Sequence, residues 1–448
     1  MKRSLVGLGG TKNQNMEFLK EANGRYLSQG YYIEVKSPDD FTDLNRLAKE
    51  NKPVFMTFFH EYMHFLQDIT TTFGLIGMQM QINKIVLLQK VIASKAIDTS
   101  IKLPIEIEKS EILNKEVETY KFICGTSKIS KSKILRVTNI TYKKFNDQEI
   151  PLIEYTNYNG SYENFIFGAD CIKESMAFIM QSAFDDDYVP ESDVPYYTVQ
   201  KISKYVLPDH ELPKHYLAYI CEHSLMTLNP GKTFVNSLIK IQESESKLND
   251  ISELRVLIED GSNNEGYKDA LENYQSIINT LLKSEHFDEI KKWLIRSMKL
   301  SLEIRRKSPF LMTAIIFKSK GPQIFSELID EIGIPFLINR DGIAVSHIKA
   351  ENYSLSSAEI DTENQTYLFF IIAQILNHVL NQNLFDTQNT NCRLYNFCKN
   401  KGVSDIDDIT GELCKTPWLK LKSNNSGLFC PYEIGWKLLG LDKYDIQH

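Results

Sequence analysis

His60, Glu61 and His64, in the run HEYMH, have the residue types and spacing best suited to chemistry in this chain. On a helix, side chains four apart project from one face, one turn apart. Two imidazoles so placed can reach one zinc ion at about 2.0–2.1 Å. Glu61 follows His60 around the helix, close enough to touch a water held by the metal rather than the metal itself. This arrangement suits hydrolysis: the cation lowers the water's pKa towards neutrality, and the glutamate takes its proton as it attacks a carbonyl. The pattern fixes only three positions, and with 9 histidines in 448 residues chance yields it in roughly one chain in a hundred. Its setting adds weight. The motif lies in an apolar stretch from Val54 to Phe73, where an unpaired charge is costly to bury.

On these residues the chain resembles the zincin metallopeptidases over about residues 50–185. It is also similar to poorly characterised bacterial proteins that share H-E-x-x-H-x-x-Q and a later E-S-x-A. The resemblance implies His60 and His64 as metal ligands and Glu61 as general base. A metzincin would have Gly at position 67 and His at 70, where this chain has Gln67 and Thr70. The gluzincin branch takes its third ligand from a glutamate on a later helix. The best match is KESMAF, with Glu174 as ligand and Ala177 one turn on, small enough to let that helix approach closely. Glu174 lies 110 residues after His64 (174 − 64), whereas gluzincin spacing is usually a few tens. Glu222 or His223 in YICEHS is the alternative source. Asp68, one turn beyond His64, and Gln67 could each orient an imidazole through its second ring nitrogen. Tyr196, Tyr197, His210, His215 and His223 follow Glu174 within about fifty residues and could stabilise an oxyanion; of these, Tyr197 and His223 are the ones carried forward.

The elements that must hold these groups read as an α+β chain, predominantly helical, with a zincin-like catalytic core. Residues 31–37 form a strand, Asp39 or Asp40 caps a short helix ending near Asn51, and Pro53 suits the first turn of the next helix. That motif helix spans about 53–73, and a second helical stretch, punctuated by Gly74 and Gly77, runs to about Lys95. Residues 100–167, with ILRVTNITYKKF, EIPLIEYTNY and SYENFIF, read as a small antiparallel β region. Such a region would be an insertion or the sheet bordering the cleft. Helix resumes at about 168–184 and predominates to about 335. A hairpin around PFLINRDGIAVS, turning at Asp341-Gly342, and a helix at about 361–383 follow. The implied domains are 1–190, catalytic; 191–385, helical; and 386–448, a cysteine-containing C-terminal subdomain.

Composition narrows the function classes. A net charge of −7 argues against a nucleic-acid binder. The basic runs Lys128 to Lys144 and Arg305-Arg306-Lys307 read as solvated faces. The amphipathic stretch 289–306 reads as a core-facing helix with a basic outer face rather than a membrane-surface helix. GLGG at 7–10 lacks the Lys-Ser/Thr of a phosphate loop. The apolar run from 367 to 380 is too short to span a bilayer, and the apolar segment after Lys2 and Arg3 is too short for a secretory signal. A cytoplasmic protein with reduced cysteines is expected. Four of its seven cysteines, Cys392, Cys398, Cys414 and Cys430, cluster late in the chain. They read as packed thiols or a structural zinc site, without the usual C-x2-C knuckle.

The expected activity is zinc-dependent peptide-bond hydrolysis, with one catalytic zinc ion and a protein or peptide substrate. A large cytoplasmic protease must be restrained, which implies a specific target or a regulatory partner protein. Two alternatives remain: a non-catalytic protein whose zinc stabilises an interaction surface, and a zinc hydrolase acting on a non-peptide amide or ester.

Overall fold

The computed structural model describes residues 24–39, 41, 43–95, 100–103, 105, 111–126, 133–183, 190, 192–244, 250–259, 263–281, 288–307, 311–313, 329, 331–339, 344–345, 371–376, 378–380 and 431–447. Over these the chain is a predominantly helical α+β structure. Cys392, Cys398, Cys414 and Cys430, the Asp341-Gly342 turn, Asp40 and GLGG lie outside the described residues.

The motif helix is α2 (Lys52–Thr70), preceded by the short α1 (Leu44–Glu50) and followed by α3 (Thr72–Ala93). Pro53 sits in the first turn of α2, where its missing N–H costs nothing and its fixed φ suits the helix. Asp43 caps α1, accepting from Arg46 N at 2.9 Å. Asp39, expected to do so, is too early in the chain and accepts instead from the Asn51 amide at 3.0 Å. Thr71 caps α3 by accepting from Gly74 N. Gly74 lets α3 start hard against the end of α2, because a Cβ there would collide with the Gln67 and Asp68 backbone.

Around α2 apolar side chains are buried on nearly every side: Phe55, Phe58, Phe59, Tyr62, Met63, Phe65, Leu66 and Ile69 are all 3% exposed or less. Each contributes roughly 2 kcal/mol by leaving water. A helix buried this thoroughly needs partners for its polar groups, or their burial would offset several of those aromatics.

Strand β1 (Gly24–Leu27) runs antiparallel to β2 (Tyr32–Val35), with Tyr26 opposite Ile33. β2 lies parallel to β7 (Phe336–Asn339), which pairs antiparallel with β8 (Ala344–Val345). The four strands form one sheet in the order β1-β2-β7-β8, with β1 at an edge against α2. A two-residue register, Leu337 to Val345 and Ile338 to Ala344, supports the expected hairpin.

Within 100–167 only part is sheet. β4 (Ile134–Phe145), β5 (Gln148–Asn157) and β6 (Tyr162–Ile166) form the antiparallel trio, with Ile140 opposite Ile153 and Ile153 opposite Phe165. Residues 111–124 are instead a helix, α4 (Glu111–Cys124). Val117, Tyr120 and Cys124 recur there at helical spacing, and Tyr120 stacks on Phe73 of α3 at 4.9 Å. β3 (Ser100–Lys102) pairs with β9 (Asp445–Gln447) in parallel, not antiparallel.

Beyond the trio come α5 (Ala169–Gln181), α6 (Thr198–Val206), α7 (Lys214–Leu225), α8 (Pro230–Glu243), α9 (Ile251–Ile258), α10 (Asn263–Leu281) and α11 (Asp288–Lys307), with α12 (Pro431–Leu438) near the end of the chain. Residues 371–376 and 378–380 are helical within the expected 361–383. Helix α5 packs on α2, and α7 packs behind α5. The buried apolar side chains form one cluster that runs from Tyr31 to Leu441.

Helix α11 turns its apolar stripe inward: Trp293 stacks on Phe65 at 5.9 Å, and Leu294 and Met298 are fully buried. Lys292, Arg296, Lys299 and Arg306 stay exposed. Arg305 departs from the expected solvated run. It is buried, donates to Thr70 O at the end of α2, and pairs with Glu222 at 2.9 Å. It donates to the Thr70 carbonyl at the C-terminal end of the motif helix, where a cation is favoured. Among the described residues no helix is long and apolar enough to cross a membrane.

Candidate metal centre

Helix α2 presents His60, His64 and Gln67 along one face, and α5 presents Glu174, Ala177 and Gln181 along the facing one. Ala177 is fully buried, as a residue lying in a close helix–helix contact must be. The three candidate ligands meet across this seam. His60 Nε2 lies 3.1 Å from Glu174 Oε2, His64 Nε2 lies 3.5 Å from Glu174 Oε1, and the two Nε2 atoms are 3.2 Å apart. Around a tetrahedral cation bound at 2.0–2.1 Å, ligand atoms stand about 3.3–3.4 Å from one another. The donor set therefore fits such an ion in both chemistry and span. Among the described residues this is the one group of three or more His, Cys, Asp or Glu side chains whose ligand atoms all lie within 4.8 Å.

The far side of each imidazole is held by an amide. His64 Nδ1 lies 2.9 Å from Gln67 Oε1, and His60 Nδ1 lies 3.2 Å from Gln181 Oε1. Gln67 Nε2 donates to Lys173 O at 3.0 Å, which fixes the orientation of that amide and leaves its oxygen for His64. Asp68 holds no imidazole; it takes the Lys173 ammonium at 2.5 Å instead. Lys173 precedes Glu174 in sequence, so both of its polar ends tie the ligand-bearing helix to α2.

The electrostatics follow from this packing. Burial works against a charged His64, but the Glu174 carboxylate outweighs it and pushes the imidazole up to about 9. Burial likewise opposes ionisation of Glu174, yet the His64 and His60 rings hold it well below the usual carboxylate range. Without a cation, His64 and Glu174 make an ion pair that favours the charged form of each. Glu61 is raised from its ordinary value by burial, partly offset by His60 and His64, which makes it a stronger base than a free glutamate. Its Oε2 accepts from Tyr26 N at 2.6 Å, so the edge strand β1 fixes the carboxylate. Gly24 allows that approach, since a Cβ there would meet Thr57 Cγ2 at 2.6 Å and Glu61 Cγ at 3.2 Å.

The other residues named from sequence fall elsewhere. Glu222 is 1% exposed and fully committed. It accepts from the backbone N–H groups of Leu311, Met312 and Thr313 and from the Thr313 hydroxyl, besides Arg305. His223 is buried in the last turn of α7 and does not join the ligand group. Tyr197 packs its ring against Phe178 at 4.8 Å, just before α6. Its neighbour Tyr196 is the one beside the centre, edge-on to His60 at 6.1 Å. Gln181 was not singled out from sequence, although its place seven residues after Glu174, two helical turns along one face, was a readable signal.

The side chains of His60 and His64 are 12% and 13% exposed and that of Glu174 is 31% exposed, so the centre is partly accessible to solvent. Such a centre could bind a cation, with Glu61 positioned to move a proton beside it. No family model, curated protein or solved structure matches this chain.

Proposed function

We propose that the chain is a zinc-dependent metallopeptidase of gluzincin-like type, with a zincin-like core built on α2 and α5. One observation carries this reading: His60, His64 and Glu174 converge from two helices, while Glu61 sits beside them with its carboxylate fixed. The partial exposure of all three ligand side chains supports catalysis over a purely structural ion, because structural zinc sites are closed by four protein ligands.

Zinc bound by His60, His64 and Glu174 would supply Lewis-acid polarisation of the scissile carbonyl and acidify the attacking water. The protein supplies the rest. Glu61 Oε1 takes the water's proton while Tyr26 N–H holds Oε2, and Glu61 then delivers that proton to the leaving amine. Burial raises Glu61 from its ordinary value, so it holds a proton more readily than a free glutamate. Tyr196 forms a wall of the site next to His60.

The test is Glu61→Gln, assayed for zinc content and for proteolysis of a panel of cellular proteins. Zinc should be retained and cleavage should fall by roughly 10²- to 10⁴-fold. Equal cleavage by the variant contradicts the role of Glu61. Cleavage of no protein, with Glu61-dependent hydrolysis of simple amides or esters, would move the substrate class away from peptides.

A further inference from the structure

Resting on the metal reading above, we propose that Gln67 and Gln181 are positioning residues that lock both histidines with the proton on Nδ1, and that their neutrality keeps the bound cation strongly electrophilic. Each imidazole meets a side-chain amide oxygen through Nδ1, at 2.9 Å for His64 and 3.2 Å for His60. An amide oxygen only accepts, so Nδ1 must carry the hydrogen. The Nε2 lone pairs are thereby aimed at the point shared with Glu174.

The choice of amide matters chemically. A carboxylate acceptor makes a liganding imidazole more basic and donates more charge to the metal. This chain has a carboxylate within reach in sequence, Asp68, yet the structure spends it on Lys173. A divalent cation, one carboxylate ligand and two neutral acceptors sum to +1 before Glu61 is counted; carboxylates in both outer places would bring that sum to −1. The two amides also cross-brace the seam. Gln181 reaches from α5 to α2, and Gln67 holds His64 with one end and the Lys173 carbonyl with the other. Both are buried, at 6% and 0% exposure, so water does not compete for these contacts.

The test uses the full chain titrated with zinc against a chromophoric chelator, together with imidazole ¹⁵N–¹H spectra of the zinc-loaded protein. Gln67→Ala and Gln181→Ala should each weaken zinc binding by about 10- to 100-fold. Gln181→Glu should restore binding and make it several-fold tighter than wild type. The wild-type spectra should show both histidines protonated on Nδ1 and bound through Nε2, a readout that does not depend on the variants folding. Variant affinities within twofold of wild type, or a histidine bound through Nδ1, overturn the proposal while leaving the metal reading intact. A wild-type chain that takes up no zinc overturns both.

Discussion

The Lys173 ammonium lies 2.5 Å from the Asp68 carboxylate, joining the residue before Glu174 to the helix that carries His60 and His64. Lys173 also lies over the Phe73 ring, 5.9 Å from its centroid. The pair is nearly out of solvent, so removing one partner strands the other charge. Lys173→Met should destabilise the protein by about 3–5 kcal/mol, seen as a lower urea midpoint with an unchanged slope. Replacing both residues by apolar ones should recover much of that loss. A single substitution that leaves the midpoint unmoved would show that the pair does not hold the seam.

The Glu174–His64 pair sets how stability depends on pH when no metal is bound. His64 is raised from 6.5 to about 9, so its contribution is full below 6.5 and is lost as pH rises towards 9. Glu174 is lowered from 4.5, so its contribution is full above 4.5 and is lost as pH falls. The pair's contribution is therefore greatest between 4.5 and 6.5. In chelator-treated protein, urea midpoints should fall from pH 6 to pH 9, and Glu174→Gln should flatten that fall. Zinc uptake at pH 7.5 should also release about one proton, because His64 must give one up to bind. An uptake that releases none, measured by calorimetry in buffers of different ionisation enthalpy, contradicts the assigned state of His64.

Glu222 and Arg305 form a second buried ion pair, which anchors α11 and residues 311–313 near the end of the motif helix. Glu222→Gln leaves Arg305 uncompensated and should cost about 3 kcal/mol in urea unfolding. Zinc stoichiometry should be unchanged, because Glu222 is no part of the ligand group. Loss of zinc from a folded Glu222→Gln protein would reinstate it as a ligand.

Much of this centre was legible in the sequence because it follows helical periodicity. His60, His64 and Gln67 share a face by their spacing alone, whereas Glu174 with Ala177 followed from the resemblance to gluzincins, with Glu222 or His223 as the alternative. Other assignments depended on tertiary partners that periodicity does not encode. Asp68 lies within a turn of His64, but only the fold shows that Lys173 claims it. Tyr196 and Tyr197 are adjacent, and the chain's path into α6 decides which ring meets His60. Helix α4 lies between strand-like segments that mask the helical spacing of Val117, Tyr120 and Cys124. The burial of Arg305 was masked by two basic neighbours and by an acidic partner 83 residues earlier (305 − 222).

The most direct test of the central claim is the zinc stoichiometry of purified, folded protein, measured after chelator treatment and reloading. The wild type should bind about one zinc ion per chain at this centre, and His60→Ala, His64→Ala and Glu174→Ala should each lose it while keeping wild-type circular dichroism. A folded wild type that takes up no transition metal, or variants that bind as well as it does, would contradict the account.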